Sequence, residues 1–559
     1  MNATLLIVLA LAAAPAVETP QHEHPAETTA PAATLRHAQP RPEPSRGATL
    51  VSGLGRLNHP IATASPEAQK FFNQGLTFVY GFNHDEAVRS FRRAAELDAL
   101  SPMPHWGIAL ALGPNINLDV DPAREQAAYD EAQRAHALAA AAPPNERAYV
   151  EAILKRYSND PKADLKALAV DYKDAMRALT RRYPDDLDAL TLYAESLMDL
   201  HPWQLWASDG TPTEGTTDIV AALESVLRRD AMHIGANHYY IHAVEASRAP
   251  ERAIDSARRL DTLVPAAGHL VHMPAHIYMR TGDYESAVTS NAKAAEVDRA
   301  YIKATKADGV YPMMYYNHNL DFLASAAMMS GQFQEAKGAA GMVAANAMPM
   351  LAHMPMLEPF GAKTLFVLLR FARWDDVMRL PAADATHALL NTLSHFGRGV
   401  AQAARGNATD AGRERAAYAE ARKAIPTDTD WGYNKAKDVL AVSDAVLDAW
   451  VARVDRDEAG SIEAWKRAVA AEDALKYDEP PDWFYPTRES LGAALVRASR
   501  FAEAEQVFRD DLARNPKNGR SLFGLARALR AQKKDASAVD QQFHAAWKHA
   551  DVSLRLVDF

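Results

Sequence analysis

The chain has 559 residues, enough for several ordinary domains or for one long solenoid, with 48% of them hydrophobic and 24% charged. A net charge of −10, with no face of clustered Lys and Arg, leaves nucleic acid a poor partner, because phosphate binding needs a basic footprint. The absence of cysteine excludes disulfides, thiolate metal ligands, cysteine nucleophiles and a lipoprotein anchor.

Residues 1–16 have the pattern of a secretory signal. LLIVLALAAA is too short an apolar run to span a bilayer, and Ala14, Pro15 and Ala16 offer small residues for cleavage, although no Lys or Arg precedes the run. An uncleaved anchor is the alternative. No later run approaches transmembrane length, and export to a bacterial periplasm fits both the signal and the lack of cysteine. Residues 17–58 are rich in Pro, Ala, Thr and Glu with almost no large apolar side chains, so a disordered tether is predicted, and His22 and His24 within it are expected to be solvated.

From His59 the predicted elements are helical hairpins. FFNQGLTFVYGFNHDEAVRSFRRAAELDA gives a helix, a short turn and a second helix, with Gly75, Ala87, Phe91 and Ala94 in small or aromatic slots. The pattern returns at Tyr240 to Pro265 with Ala253 in the tight inter-helix position, and about 34 residues later in TGDYESA, with Gly282, Tyr284 and Ala287. SGQFQEA, Ser330 to Ala336, follows after an insertion of about fifteen residues near Ala300 to Tyr316. FARWDDV, ARGNATDA and RDEAGSIEAW align loosely. The clearest copy has Leu491, Gly492, Leu495, Phe501, Ala504, Phe508 and Pro516, and a degenerate one follows with Leu525 and Leu529. These slots and this period resemble the tetratricopeptide repeat family. NHYYIH, HMPAHIY and HPW further resemble a group of its exported bacterial members, a likeness that implies fold and export and no particular reaction. The resemblance implies an all-α, right-handed solenoid of nine or ten hairpins over residues 59–559, whose concave groove would present a peptide or protein partner.

Five of the twenty histidines fall between Ala236 and Met279. His238 and His242 are one helical turn apart, as are His272 and His276, so each pair stands on one helix face with Cβ atoms about 5–6 Å apart. In the repeat frame, the second, fifth, ninth and twelfth positions of each first helix face the groove. Those positions become His238, His242 and Glu245 in one hairpin, His269, His272 and His276 in the next, and His318 and Asp321 in a third. Convergent neutral imidazoles avoid a desolvation cost when they share a metal, so His238, His242, His272 and His276 are expected to bind a transition metal. His269 and His318 are either further ligands or fasteners of neighbouring helices. Glu245 and Asp321 are either ligands or acceptors that fix a ligand's tautomer. His59, His84, His105, His136, His387, His395, His544 and His549 are expected to be ordinary core or surface residues.

Three further constellations stand near this set. Glu195 and the DLHPWQLWASDG stretch place His201, Trp203 and Trp206 at the groove rim, with Tyr239 and Tyr278 beside the histidines as groove residues. PPDWFYPTRES offers Trp483, Tyr485 and Glu489 as walls of a cavity, or as inter-repeat packing. Met348, Met350, His353, Met354 and Met356 form a candidate soft-ligand loop for copper, or core filler. No zincin, P-loop or hydrolase motif is present. The expected protein is an exported solenoid with a copper, zinc or iron site, catalytic through metal-activated water or O₂ with Glu245 as base. The alternatives are a metal-free scaffold that binds a protein, a peptide or a small molecule in its groove, and a periplasmic metal carrier.

Overall fold

The computed structural model describes residues 47–559, so the predicted signal, most of the predicted tether, and His22 and His24 lie outside the described residues. The chain runs through paired helices, and the turns within the pairs share one backbone device. Phe82, Gly282, Gly331, Ala372, Gly406, Arg456 and Ser499 have positive φ, between 54° and 85°. Each stands two residues ahead of a second helix: His84–Leu97, Tyr284–Thr305, Phe333–Ala347, Trp374–Arg379, Ala408–Ala421, Glu458–Asp473 and Phe501–Arg514. A left-handed residue past a helix end reverses the chain while the following amides satisfy the last carbonyls. At Gly282, Gly331 and Gly406 this costs nothing sterically, whereas the side chains at the other four positions accept about 1–2 kcal/mol of strain. FARWDDV, ARGNATDA and RDEAGSIEAW therefore turn in the same way as the clear copies.

Adjacent hairpins lock through small-to-large contacts. Gly75 and Gly107 lie on either side of Phe91, and a Cβ at either would sit 2.6 Å from the ring. Gly492 and Gly524 flank Phe508 with the same sequence spacing, at 2.5 and 2.2 Å. The result is an all-α, tetratricopeptide-like succession of hairpins with a main hydrophobic core from Leu54 to Ala536 and a small second cluster of Ala295, Leu320 and Val343. Among the described residues the strands are two residues long, and no helix is long and apolar enough to cross a membrane. The predicted insertion appears as a long helix, Tyr284–Thr305, followed by a π-helical turn, Tyr311–Tyr316, that leads directly into the helix Asn317–Ser330.

Contact with the body begins ahead of His59. The Val51 amide donates to Gln74 Oε1 at 2.8 Å, the Ala266 amide donates to the Gly53 carbonyl at 3.0 Å, and Leu54 is buried. His59 Nδ1 lies 2.8 Å from Asp188 Oδ2, while Asp188 Oδ1 accepts the Tyr80 hydroxyl at 2.6 Å and faces His233 Nε2 at 3.2 Å. Burial acts to raise the Asp188 pKa, but hydrogen bonds and charge from His233 and His59 hold it far below the usual carboxylate range. Burial likewise acts to lower His59, and Asp188 outweighs it to raise the imidazole pKa. The depressed carboxylate contributes stability above its unfolded pKa of about 3.9, and the raised imidazole contributes below its unfolded value of about 6.5. The pair is therefore at full strength between those values and weakens as pH rises through the raised His59 pKa. Asp188→Asn is expected to cost about 2 kcal/mol near pH 6. In urea melts of both proteins, the gap between parent and variant should narrow as the pH is raised above neutrality.

Candidate metal centre

Three neighbouring segments build the centre. The helix Ile234–Glu245 carries His238, His242 and Glu245. The short helix Gly268–His272 and the helix Pro274–Thr281 follow one another across Met273 and carry His269, His272 and His276. Asn317–Ser330 carries His318. The four-residue spacing stacks each pair as the sequence predicts, with ring centroids 4.9 Å apart for His238 and His242 and 4.8 Å apart for His272 and His276.

The ring orientations follow from what each Nδ1 touches. His238 Nδ1 lies 2.6 Å from the Tyr80 carbonyl oxygen, and His242 Nδ1 lies 2.7 Å from Glu245 Oε1. His272 Nδ1 lies 2.6 Å from Asn291 Oδ1, whose amide nitrogen in turn donates to the Ala287 carbonyl and so fixes which end of Asn291 faces the ring. His276 Nδ1 donates to Glu245 Oε2. Carbonyl, carboxylate and amide oxygens can only accept, so all four Nδ1 atoms carry the proton and the neutral rings present bare Nε2 lone pairs. Those lone pairs converge. His272 Nε2 and His276 Nε2 are 2.9 Å apart, and the bare His238 Nε2 lies 3.2 Å from Nε2 of His269, a ring whose Nδ1 meets no acceptor among the described residues. His242 Nε2 is buried without a hydrogen-bond partner among the described residues.

The ligand atoms fall into two histidine triads, His238 with His242 and His269, and His272 with His276 and His318, each set lying within 4.8 Å of one another. A third grouping of His242, Glu245 and His276 joins them. His318 packs edge-on to His272 at 4.8 Å and lies 5.7 Å from His276. The triads adjoin, with ring centroids 5.4 Å apart for His242 and His276 and 5.6 Å apart for His269 and His272.

Phe82 packs against His238 and His269 at 4.6 and 5.3 Å, and Phe322 against His272 and His276 at 4.8 and 4.6 Å. Burial first, and then neighbouring imidazoles, push the pKa of His238, His269 and His272 well below the ordinary range and that of His318 down to about 3. Burial also acts to raise Glu245, but the facing His276 and His242 rings outweigh it and hold the carboxyl well below its usual range. With both oxygens occupied by ring N–H donors, Glu245 is a poor base. Its position is that of an acceptor orienting one ligand of each triad.

A small cleft reaches the cluster at His242 and Glu245, with Ile116, Met198, Trp203 and Tyr477 among its walls. Trp203 has positive φ, donates its indole N–H to Asn117 Oδ1 at 3.1 Å and stacks on Tyr433 at 5.0 Å. The Tyr477 hydroxyl lies 2.7 Å from Glu479 Oε1 and 3.4 Å from Glu245 Oε2, a contact across 232 residues of sequence. These distant tyrosines help to enclose the imidazoles. The site is an interior one, with His238, His272 and His276 at 0% exposure, where the repeat frame predicts an open groove.

Several predicted members stand elsewhere. Asp321 Oδ2 is 2.8 Å from Lys363 Nζ, an ammonium that claims the carboxylate, and Asp321 joins none of the metal-compatible groups. Tyr278 points away from His276 by helical periodicity and donates to Asp261 Oδ2 at 2.7 Å. Tyr239 is core, edge-on to Tyr80 and stacked on Phe82. His201 is half-buried and joins none of the metal-compatible groups, and the Trp206 indole caps the Ala243 carbonyl at 2.8 Å. Trp483 packs on Phe396 and Phe484, while Tyr485 and Glu489 line a different small cleft with Arg370 and Arg520. In the methionine loop, His353, Met348 and Met356 are exposed while Met350 and Met354 pack on the core, so those side chains diverge. Asn291, the Tyr80 carbonyl and Tyr477 are the site components the sequence did not single out. Only Asn291, a lone amide in an alanine-rich helix, leaves a trace in the sequence.

No family model and no curated protein matches the chain. Among solved structures the chain is similar to yeast Tom70, at 12% identity and a TM-score of 0.27, covering 87% of this chain and 92% of that one. It is also similar to the Cut9–Hcn1 hetero-tetramer of APC/C, at 11% identity and a TM-score of 0.26, covering 87% and 95% respectively. The tetratricopeptide-like character of this chain lies in its own hairpins, with their repeated left-handed turns and glycine–phenylalanine–glycine contacts.

Proposed function

We propose that the chain is an exported metalloprotein that binds a transition metal through the buried imidazoles and carries out metal-activated chemistry on a small molecule. The observation that carries this is the approach of two bare nitrogens, His272 Nε2 and His276 Nε2, to 2.9 Å in a buried interior. Facing lone pairs repel unless a cation lies between them. A shared proton would settle that one pair and leave His242 Nε2 bare. A metal with bonds of about 2.0–2.1 Å holds its nitrogen ligands about 3 Å apart and satisfies all of them together. The tie from Nδ1 of His238, His242, His272 and His276 to an acceptor is the usual support of a metal-bound histidine, which orients the ring and raises its basicity. The cleft at His242 and Glu245 favours a reacting centre over a closed carrier, because it leads to the ligands and leaves room beside them for a molecule about the size of water.

Elemental analysis of the untagged protein, purified without added metal and dialysed against a weak chelator, tests this. Near-stoichiometric transition metal is expected in the parent and none in the His242→Ala/His276→Ala variant, with helical content by circular dichroism retained. A parent that is metal-free and takes up none of copper, zinc or iron would sink the proposal and leave a scaffold as the function.

A further inference from the structure

The two triads are built by one rule applied twice. In the first, His238 and His242 occupy the fifth and ninth positions of one hairpin's first helix and His269 the second position of the next. In the second, His272 and His276 occupy the fifth and ninth positions and His318 the second position of the hairpin after. Each triad has its own phenylalanine wall, Phe82 or Phe322, and one ligand oriented by an oxygen of the same Glu245. Repetition of a whole coordination set, down to its wall and its shared acceptor, points to two ions of the same kind.

We infer that the centre holds a pair of copper ions, one in each triad, and that the pair binds dioxygen between them; this rests on the metal-binding function proposed above. Neither triad contains a carboxylate or a thiolate, so the donors are three neutral imidazoles per ion. That set suits copper, and it lacks the carboxylate of the two-histidine iron centres. Charge decides the oxidation state in so buried a site. Two divalent ions on six neutral donors would leave four positive charges in a low-dielectric interior where, among the described residues, only Glu245 touches both triads, whereas two cuprous ions bring two. Dioxygen then enters without raising that charge. Each Cu(I) gives up one electron, the O₂ molecule takes both to become a bridging peroxide dianion, and two Cu(II) with one peroxide carry the same net charge as the two Cu(I) before it. No proton or outside reductant is needed for this step, and loss of O₂ reverses it.

The test is anaerobic loading of the untagged full-length chain with Cu(I), removal of loosely held metal, copper determination, and exposure to O₂. Two copper ions per chain are expected, with a peroxide-to-copper charge-transfer band in the near ultraviolet and no electron paramagnetic resonance signal, because the paired Cu(II) spins couple. His269→Ala and His318→Ala each remove one ligand from a single triad. Each is expected to fall from two ions to one and to lose the band, with helicity unchanged. One ion per parent chain, with an ordinary mononuclear Cu(II) resonance after oxidation, would overturn the pair and leave metal binding standing. Two coppers that show no band with O₂ would overturn the dioxygen assignment, and retention of zinc against excess copper would overturn the metal. A chain that holds no metal of any kind fails the underlying function as well.

Discussion

Glu489→Ala is expected to destabilise the C-terminal hairpins by about 3–5 kcal/mol, the largest folding effect of any single substitution considered for this chain. Glu489 is 1% exposed and lies between two arginines. Its Oε1 accepts from Arg370 Nη2 at 2.9 Å and from Asn518 Nδ2 at 2.7 Å, while its Oε2 faces Arg370 Nη1 and, at 3.3 Å, Arg520 Nε. Both guanidinium groups are also buried, and burial with Arg370 alongside already pushes Arg520 down to about 9. Breaking such a pair costs far more than the pair contributes, because two cations are left in a low-dielectric interior without a counter-charge. Arg370 and Glu489 are 119 residues apart, so the loss should loosen the packing between separate hairpins. A lowered urea midpoint with near-native helicity before the transition is the expected result. A midpoint within the error of the parent would show that water reaches the arginines and screens them. The contrasting variant, Glu489→Gln, keeps the acceptor oxygen and its shape and should fall between the two.

That position also shows where sequence reasoning stops. The repeat frame placed Glu489 at the start of a first helix beside Trp483 and Tyr485, and the helix does begin there, at Thr487. What the frame lacks is the partner. Arg370 and Arg520 are supplied by other hairpins, and neither sits at a spacing from Glu489 that any periodicity marks. Asp321 is a similar case, its oxygen claimed by Lys363 from the next hairpin. Local geometry was legible because it depends on spacings of four and about 34 residues, which a sequence displays directly. The histidine pairs therefore fell on the predicted faces, and His269 and His318, left open between ligand and fastener, fell into the triads. Burial was not legible. Tyr433 and Tyr477 belong to a segment far along the chain, and only closure of the tertiary structure brings them over the imidazoles.

Glu245→Gln is expected to weaken metal binding about 100-fold while leaving the fold intact, and the reason separates its role from that of a base. Each Glu245 oxygen accepts one ring N–H, from His242 in one triad and from His276 in the other. Glutamine keeps one acceptor oxygen and replaces the other with an NH₂ group, which cannot accept. One of the two rings must then turn, or move its proton to Nε2, the atom that would bind metal. A single substitution thus disables one ligand without touching it. The negative charge is lost as well, and with it, among the described residues, the only carboxylate in contact with both triads, so the remaining ligands should also bind a cation less tightly. Competition with a chromophoric chelator would measure the affinity, and elemental analysis the stoichiometry. If Glu245 instead served mainly to move protons for a reacting molecule, the same variant would keep its metal at parental affinity and lose only turnover. Retention of parental affinity would therefore remove Glu245 from the orienting role and return it to the cleft as a reacting group. A fall in affinity with Glu245→Gln, matched by a fall of similar size with Asn291→Leu, which strips the acceptor from His272 in the same way, would place the strength of the centre in the acceptors behind the rings.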